Sequence, residues 1–398
     1  MNVLLLTVDS LRKDAVPTHG FGPDLFEALG TDVSPTRFER AFATGPGTTP
    51  SFPAMLSGTM PLSYGGLGPL SDDRPRVAEF LGREGYQTAA FHCNPFLSTH
   101  FAYDAGFDTF EDYQNPLMGL ATKVFPRGIE INNPKLRRVD DYLHLTDALR
   151  KSYQLLKGKP RPYVSAEVIT DDTVSWLDGA EEPFFCWTHY MDVHHPCFPP
   201  EPYRERYDVD EVTQSRVGEL YSAVLADPWT LTADERDTLR RLYRAAIAYT
   251  HSQTERVLTA LEANGHLSET LVLVTSDHGE LFGDHGSFGK PERMYDELLH
   301  VPLVVLNAPD AVESATEDLV SLLDVPPLVH DALGLSVPAV YEGRRPGVDE
   351  PREHVREASV VRRAVSERFE ELNLDTDRWD DDIEGDVESR LEDLGYLS

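Results

Sequence analysis

The chain has 398 residues, is 40% hydrophobic and 10% aromatic, and carries a formal net charge of −32 at pH 7. That composition supports a large folded core, and that charge repels nucleic acid and anionic lipid, so neither is expected as a partner. Only seven of the 36 basic residues are lysine, a pattern that resembles proteins of salt-accumulating halophiles. Three cysteines, Cys93, Cys186 and Cys197, are too few for a disulfide framework, and their apolar settings predict reduced, buried thiols. The N-terminus opens directly on a strand and no run is long enough to span a bilayer, so a cytoplasmic protein is the expectation.

In chain order, Asn2 to Val8 reads as a buried strand that ends at Asp9 and Ser10. A Gly/Thr/Pro-rich segment follows from Ala43 to Gly58, with Ser51 expected to cap a short helix whose first turn holds Pro53. Arg76 to Glu84 reads as a helix, and Tyr86 to Asn94 as a strand with polar groups at its end. Between about Gln114 and Ala166 the pattern loosens and most of the lysines gather, predicting an inserted cap or a mobile surface segment.

Pro183 to His189 is a further strand, running into Asp192, His194, His195 and a proline-rich loop as far as Pro202. Leu242 to Asn264 predicts a long amphipathic helix with Ala246, Tyr249, Val257 and Leu261 on one face and Gly265 as its stop. Val272 to Ser276 is a continuous apolar run that breaks abruptly into Asp277, His278 and Gly279. Val301 to Leu306 is another buried strand, and Ser321 to Leu335 a last core helix. From Pro338 the chain turns acidic, with a terminal helix near Asp386 to Leu394.

Strands alternating with helices predict an α/β fold, a large and mostly parallel sheet sandwiched by helices. It is expected to span residues 1–336, with a small acidic C-terminal subdomain or tail over 337–398. Four of its strands end in polar chemistry, at Asp9, Asn94, His194 and Asp277 with His278. Ligands of open α/β sheets collect outside the carboxyl ends of the strands. Two carboxylates and an imidazole in that position, Asp9, Asp277 and His278, form a ligand set for a divalent metal.

The ordered combination is more specific. It runs from Thr7-Val8-Asp9 through Thr48-Thr49-Pro50-Ser51-Phe52-Pro53 and His189-Tyr190-Met191-Asp192-Val193-His194. It continues with Ser276-Asp277-His278-Gly279-Glu280, then Asp284-His285-Gly286 and Lys290. This set, together with the closing stretch from Leu391 to Leu397, resembles the sulfatase-like branch of the alkaline phosphatase superfamily. The resemblance implies Asp9, Asp277 and His278 as metal ligands, joined by Thr48, which stands where the family has its nucleophile. His194 and Lys290 stand where the family binds the substrate oxyanion or protonates the leaving oxygen. Asn94 stands where some phosphonate- and phosphodiester-cleaving relatives use an amide.

The chemistry of these residue types agrees. A threonine hydroxyl is a weak nucleophile until a cation lowers its pKa, and a helix start after it favours an anion. Oxygen and imidazole donors suit manganese, zinc or magnesium better than calcium. Thr49 and Ser51 compete with Thr48, His195 adjoins His194, and Asn94 before a proline also suits a turn. His285 is either a further ligand or a structural hydrogen-bonding group, while His92, His189, His251 and Cys93 read as core or surface residues.

The departures shape the expected activity. Sulfatases proper carry Cys or Ser at the nucleophile position and convert it to formylglycine, which Thr48 cannot become. They also have an arginine at Phe52, a second acid at Ser10, and Lys-Trp-His where this chain has His92-Cys93-Asn94. The resemblance therefore implies a metal-dependent hydrolase of a phosphate or sulfate ester, with phosphodiesters or phosphonates favoured. Its substrate would be a small anionic ester, sugar- or lipid-linked among the options. The alternatives are a phospho-alcohol transferase with the same nucleophile and a non-catalytic anion-binding member of the family.

Overall fold

The computed structural model describes residues 1–16, 21, 35–64, 67–113, 163–227 and 229–353. Most of the expected insert, and the expected terminal helix near 386–394, lie outside the described residues.

The first strand, β1 (Asn2–Val8), is buried along its whole length and enters the loop carrying Asp9. Two short strands follow, β2 (Thr36–Phe38) and β3 (Arg40–Phe42), and then helix α1 (Thr48–Ser57). Helix α2 (Val77–Arg83) precedes β4 (Gln87–Phe91) and β5 (Thr109–Glu111). Helix α3 (Ala166–Leu177) leads into β6 (Phe184–Tyr190), and the long α4 (Ala233–Ala263) into β7 (Thr270–Ser276). A small hairpin, β8 (Leu281–Phe282) with β9 (Phe288–Gly289), is followed by β10 (Leu303–Leu306), β11 (Leu319–Ser321) and α5 (Val325–Ala332).

Seven strands form one sheet in the order β2-β10-β7-β1-β6-β4-β5. The run from β7 to β5 is parallel, whereas β10 is antiparallel to both β7 and β2. Alternation along β1 sends Leu4, Leu6 and Val8 to one face, where they meet Ile169 of α3 and Leu242 and Leu258 of α4. Val3 and Leu5 face the other way, with Phe52 and Met55 of α1, Leu81 of α2 and Leu328 of α5. The result is the expected helix-sheet-helix sandwich. Because β1, β6 and β7 are parallel and in register, their carboxyl ends open at one edge of the sheet.

Three elements differ from the sequence expectation. Helix α1 begins at Thr48, with Gly47 as its extended N-cap, and not at Ser51. Ser51 instead donates its hydroxyl to the Gly45 carbonyl at 3.0 Å. A side chain at Gly45 would collide with Pro50, 2.5 Å away, so the loop and the first turn fold tightly on each other.

Helix α4 begins nine residues before Leu242, fixed by a capping box between Thr232 and Glu235. The expected helix over Ser321 to Leu335 is divided. Leu319–Ser321 pairs with β3, and the helix itself runs only from Val325. Within residues 339–353, the chain packs back onto this body. Tyr341 lies against Gly58, the Glu342 amide donates to the Gly58 carbonyl at 2.7 Å, and Arg352 pairs with the buried Asp324.

Candidate active site

Asp9 leaves the end of β1, and Asp277 and His278 leave the end of its neighbour β7. Val8 is paired with Ser276 in that register, so the three side chains meet directly above the sheet. One donor atom from each lies within 4.8 Å of the others, and all three residues are fully buried. The His278 Nε2 is 3.3 Å from Asp277 Oδ2 and 3.7 Å from Asp9 Oδ1. The ring is held by its other nitrogen, since Nδ1 donates to the Gly279 carbonyl at 2.8 Å and leaves Nε2 as the donor atom for a metal. Gly279 is required here, because a Cβ would lie 1.9 Å from the Glu297 carbonyl oxygen.

Two buried carboxylates this close repel each other. Burial opposes the charge of Asp9, yet His194, Lys290 and His189 outweigh it and hold its pKa well below the usual range. Burial and the Asp9 charge push Asp277 well above the usual range. Asp277 Oδ2 is buried without a hydrogen-bond partner among the described residues. A divalent cation fits this donor set, since it would satisfy that oxygen and relieve the repulsion between the two acids.

Thr48 stands at the first position of α1, and its hydroxyl reaches the same cluster, 3.5 Å from Asp9 Oδ2 and 3.4 Å from His278 Nε2. Asn94 serves two partners. Its Oδ1 accepts from the Phe96 amide at 3.0 Å, capping a short turn, and its Nδ2 donates to Asp9 Oδ2 at 3.0 Å. His194 is fully buried beyond β6, and its Nδ1 donates to the His195 carbonyl at 2.5 Å. Lys290 follows β9, close enough for its charge to act on Asp9, Asp277 and His278. Asp9, Asp277, His278, Thr48 and Asn94 are thus brought together by direct contacts, with the charges of His194 and Lys290 acting on Asp9. Ser51 does not share the position of Thr48, being turned to Gly45.

The sequence model of the sulfatase family matches residues 1–335. The chain belongs to the sulfatase family. An arylsulfatase of Clostridium perfringens (strain 13 / Type A) is 23% identical over 384 residues, covering 86% of this chain and 76% of that protein. Among solved structures, the phosphonate monoester hydrolase SpPMH from Silicibacter pomeroyi superposes with a TM-score of 0.61 at 22% identity, over 89% of this chain and 78% of that one. The C-terminal periplasmic domain of EcEptC from Escherichia coli, in complex with Zn, has a TM-score of 0.58 at 14% identity, over 88% and 87%. These likenesses are in fold.

In this sulfatase-family chain, several residues at the site were not singled out from the sequence. His189, taken for a core residue, has Nε2 3.5 Å from Asp9 Oδ2. The signal was its register opposite Thr7 at the end of paired strands. Glu280 is buried and accepts from His195 Nδ1 at 3.1 Å on each oxygen. Burial opposes its charge, but His195 outweighs burial and lowers its pKa to about 2.

Ser10, where sulfatases carry a second acid, donates its hydroxyl to Asp9 Oδ1 at 2.7 Å and its amide to Asp277 Oδ1 at 3.2 Å. Its φ of 61° is in the left-handed region, a strained backbone pinned by these bonds and by Tyr243, whose hydroxyl donates to the Ser10 carbonyl at 2.8 Å. His285 pairs with Glu297 at 3.0 Å and stacks on Tyr295, which is the structural alternative.

Proposed function

We propose that this chain is a metal-dependent hydrolase of phosphodiesters or phosphonate esters with Thr48 as its nucleophile. The observation that carries this reading is the Thr48 hydroxyl, buried at a helix N-terminus and within 3.5 Å of Asp9 and 3.4 Å of His278. Asp9, Asp277, His278 and Thr48 would hold the metal, which when bound supplies Lewis-acid polarisation and a lower pKa for a ligating hydroxyl. An imidazole and compact carboxylates favour zinc, manganese or magnesium over calcium. The zinc named for EcEptC supports that choice.

The remaining work falls to the chain itself. The first amides of α1 face an incoming anion, and the Lys290 ammonium offsets charge on the non-bridging oxygens of the transferring group. The Asn94 amide is a neutral donor beside Asp9. His194 keeps one proton on Nδ1, so a second proton, taken up at Nε2, is the one it would pass to the leaving oxygen.

Sulfate esters are the second reading, favoured by the family match and by the arylsulfatase relative. Phosphorus esters are preferred because Thr48 cannot become formylglycine. Parallel assays of aryl phosphodiester, aryl phosphonate and aryl sulfate with Zn2+ or Mn2+ test the choice. Turnover of the phosphorus esters above the sulfate supports it, and a preference for sulfate overturns it.

A further inference from the structure

Asp9 is fixed from behind by a buried polar chain that the proposed mechanism does not use. Trp187 donates its Nε1 proton to Thr7 Oγ1 at 3.0 Å, and Thr7 Oγ1 lies 3.0 Å from His189 Nδ1. The other ring nitrogen, Nε2, lies 3.5 Å from Asp9 Oδ2, its nearest carboxylate oxygen, at ion-pair distance, and makes no hydrogen bond among the described residues. Thr7, Trp187, His189 and Asp9 are all fully buried.

Two tautomers of His189 are available to this geometry. With the proton on Nδ1, the Nε2 lone pair would face the carboxylate of Asp9 in a dry interior, which is costly. With the proton on Nε2, the ring donates toward Asp9 and accepts the Thr7 hydroxyl at Nδ1. Thr7 can donate to the Thr188 carbonyl at 3.3 Å in the first case, so the Asp9 end decides, and only the second tautomer turns a proton and not a lone pair toward that carboxylate.

Phe52 reinforces it. It occupies the position at which sulfatases carry arginine, and here its ring meets His189 edge-on at 4.9 Å and Trp187 at 5.4 Å. The apolar side chain holds the imidazole in place and brings no charge.

We infer that His189 is a positioning residue for the metal site, held by Thr7 and Trp187 as the Nε2-protonated tautomer and orienting Asp9 for a divalent cation. This rests on the metal reading given above. Partners that orient a ligating carboxylate are typically worth about 10- to 100-fold in metal affinity.

The test uses the full chain, with Zn2+ as the probe, titrated calorimetrically into wild type, His189→Leu and His189→Gln. Leucine removes the donor, whereas the glutamine amide can restore a donor near Nε2. Leucine is expected to weaken Zn2+ binding by about 10- to 100-fold, with glutamine recovering most of the loss. Unchanged affinity in the leucine variant, or equal loss in both variants, overturns the inference.

Nitrogen chemical shifts of labelled histidine in the wild-type protein provide a second measurement that depends on no variant. A protonated Nε2 with a bare Nδ1 at His189 is expected, and the opposite tautomer overturns the inference. Absence of any Zn2+ or Mn2+ binding by wild type counts against the metal reading itself, and the tautomer measurement still decides the role of His189.

Discussion

His195 directs Nδ1 at both carboxylate oxygens of Glu280, 3.1 Å from each, and lays its ring on that of His194 with centroids 4.4 Å apart. Tyr221 covers the opposite face of His195 at 5.3 Å. His194 is thereby held by a stack whose orientation is set by one buried carboxylate. Glu280→Gln is expected to lower kcat by about 10- to 100-fold while leaving KM within a few-fold, since the loss is one of alignment. Steady-state kinetics on an aryl phosphodiester checks this. A wild-type kcat in the variant contradicts it.

The fold around that stack was largely legible in the sequence, because apolar runs that stop at an acid or histidine mark both the strands and their functional ends. Asp9 and Asp277 were readable for this reason. His189 was not, since its importance comes from lying opposite Thr7 in a strand pair distant in sequence. The start of α4 was missed because its first turns are mostly charged, although Thr232 and Glu235 spelled out a capping box. The start of α1 was missed because Ser51 reads as the cap, whereas glycine, with no side chain to offer, took the position at Gly47. Roles for Asn94 were open from sequence, and the structure gives its two ends different partners.

Gly279 carries the backbone past Glu297 with no room for a methyl group, the nearest contact being a main-chain oxygen 1.9 Å from where a Cβ would stand. Gly279→Ala must therefore shift the segment that presents His278. Chemical denaturation is expected to show a loss of about 1–3 kcal/mol or more, accompanied by weaker metal binding. A variant as stable as wild type would mean that the approach of these segments is looser than described.

His92 is fully buried between Trp187 and Phe110, and neither ring nitrogen has a hydrogen-bond partner among the described residues. Burial lowers its pKa well below the ordinary value. The folded state therefore holds His92 neutral, whereas the unfolded chain takes up a proton below about pH 6.5. Stability from this group is present above that pH and falls as the pH drops, by up to about 1.4 kcal/mol per unit. His92→Phe removes the group, so its stability should decline less steeply between about pH 6.5 and pH 5. Parallel slopes for the two proteins contradict the assignment.

A formal charge of −32 strains the folded state through self-repulsion. Added salt screens it, with a Debye length of about 10 Å at 0.1 M and about 3 Å at 1 M. The melting temperature is expected to rise by several degrees between these concentrations of KCl. A flat or falling melting curve would indicate that the acidic residues are already well compensated.

The paired acids predict a second stabilising agent. Excess Zn2+ or Mn2+ should raise the melting temperature, because binding at about 100 times Kd contributes about 2.7 kcal/mol. Asp277→Asn should remove most of that response, and a chelator should reverse it in wild type. An equal metal-induced rise in Asp277→Asn would locate the binding elsewhere.

In the proposed reaction the hydroxyl of Thr48 attacks the ester. The most direct test of this step compares wild type with Thr48→Ala on an aryl phosphodiester, with Zn2+ binding measured on the same samples. Loss of turnover by at least about a thousandfold is expected in the variant, with Zn2+ binding weakened but retained through Asp9, Asp277 and His278. Turnover that survives in Thr48→Ala would contradict it, because the attacking group would then be something other than Thr48.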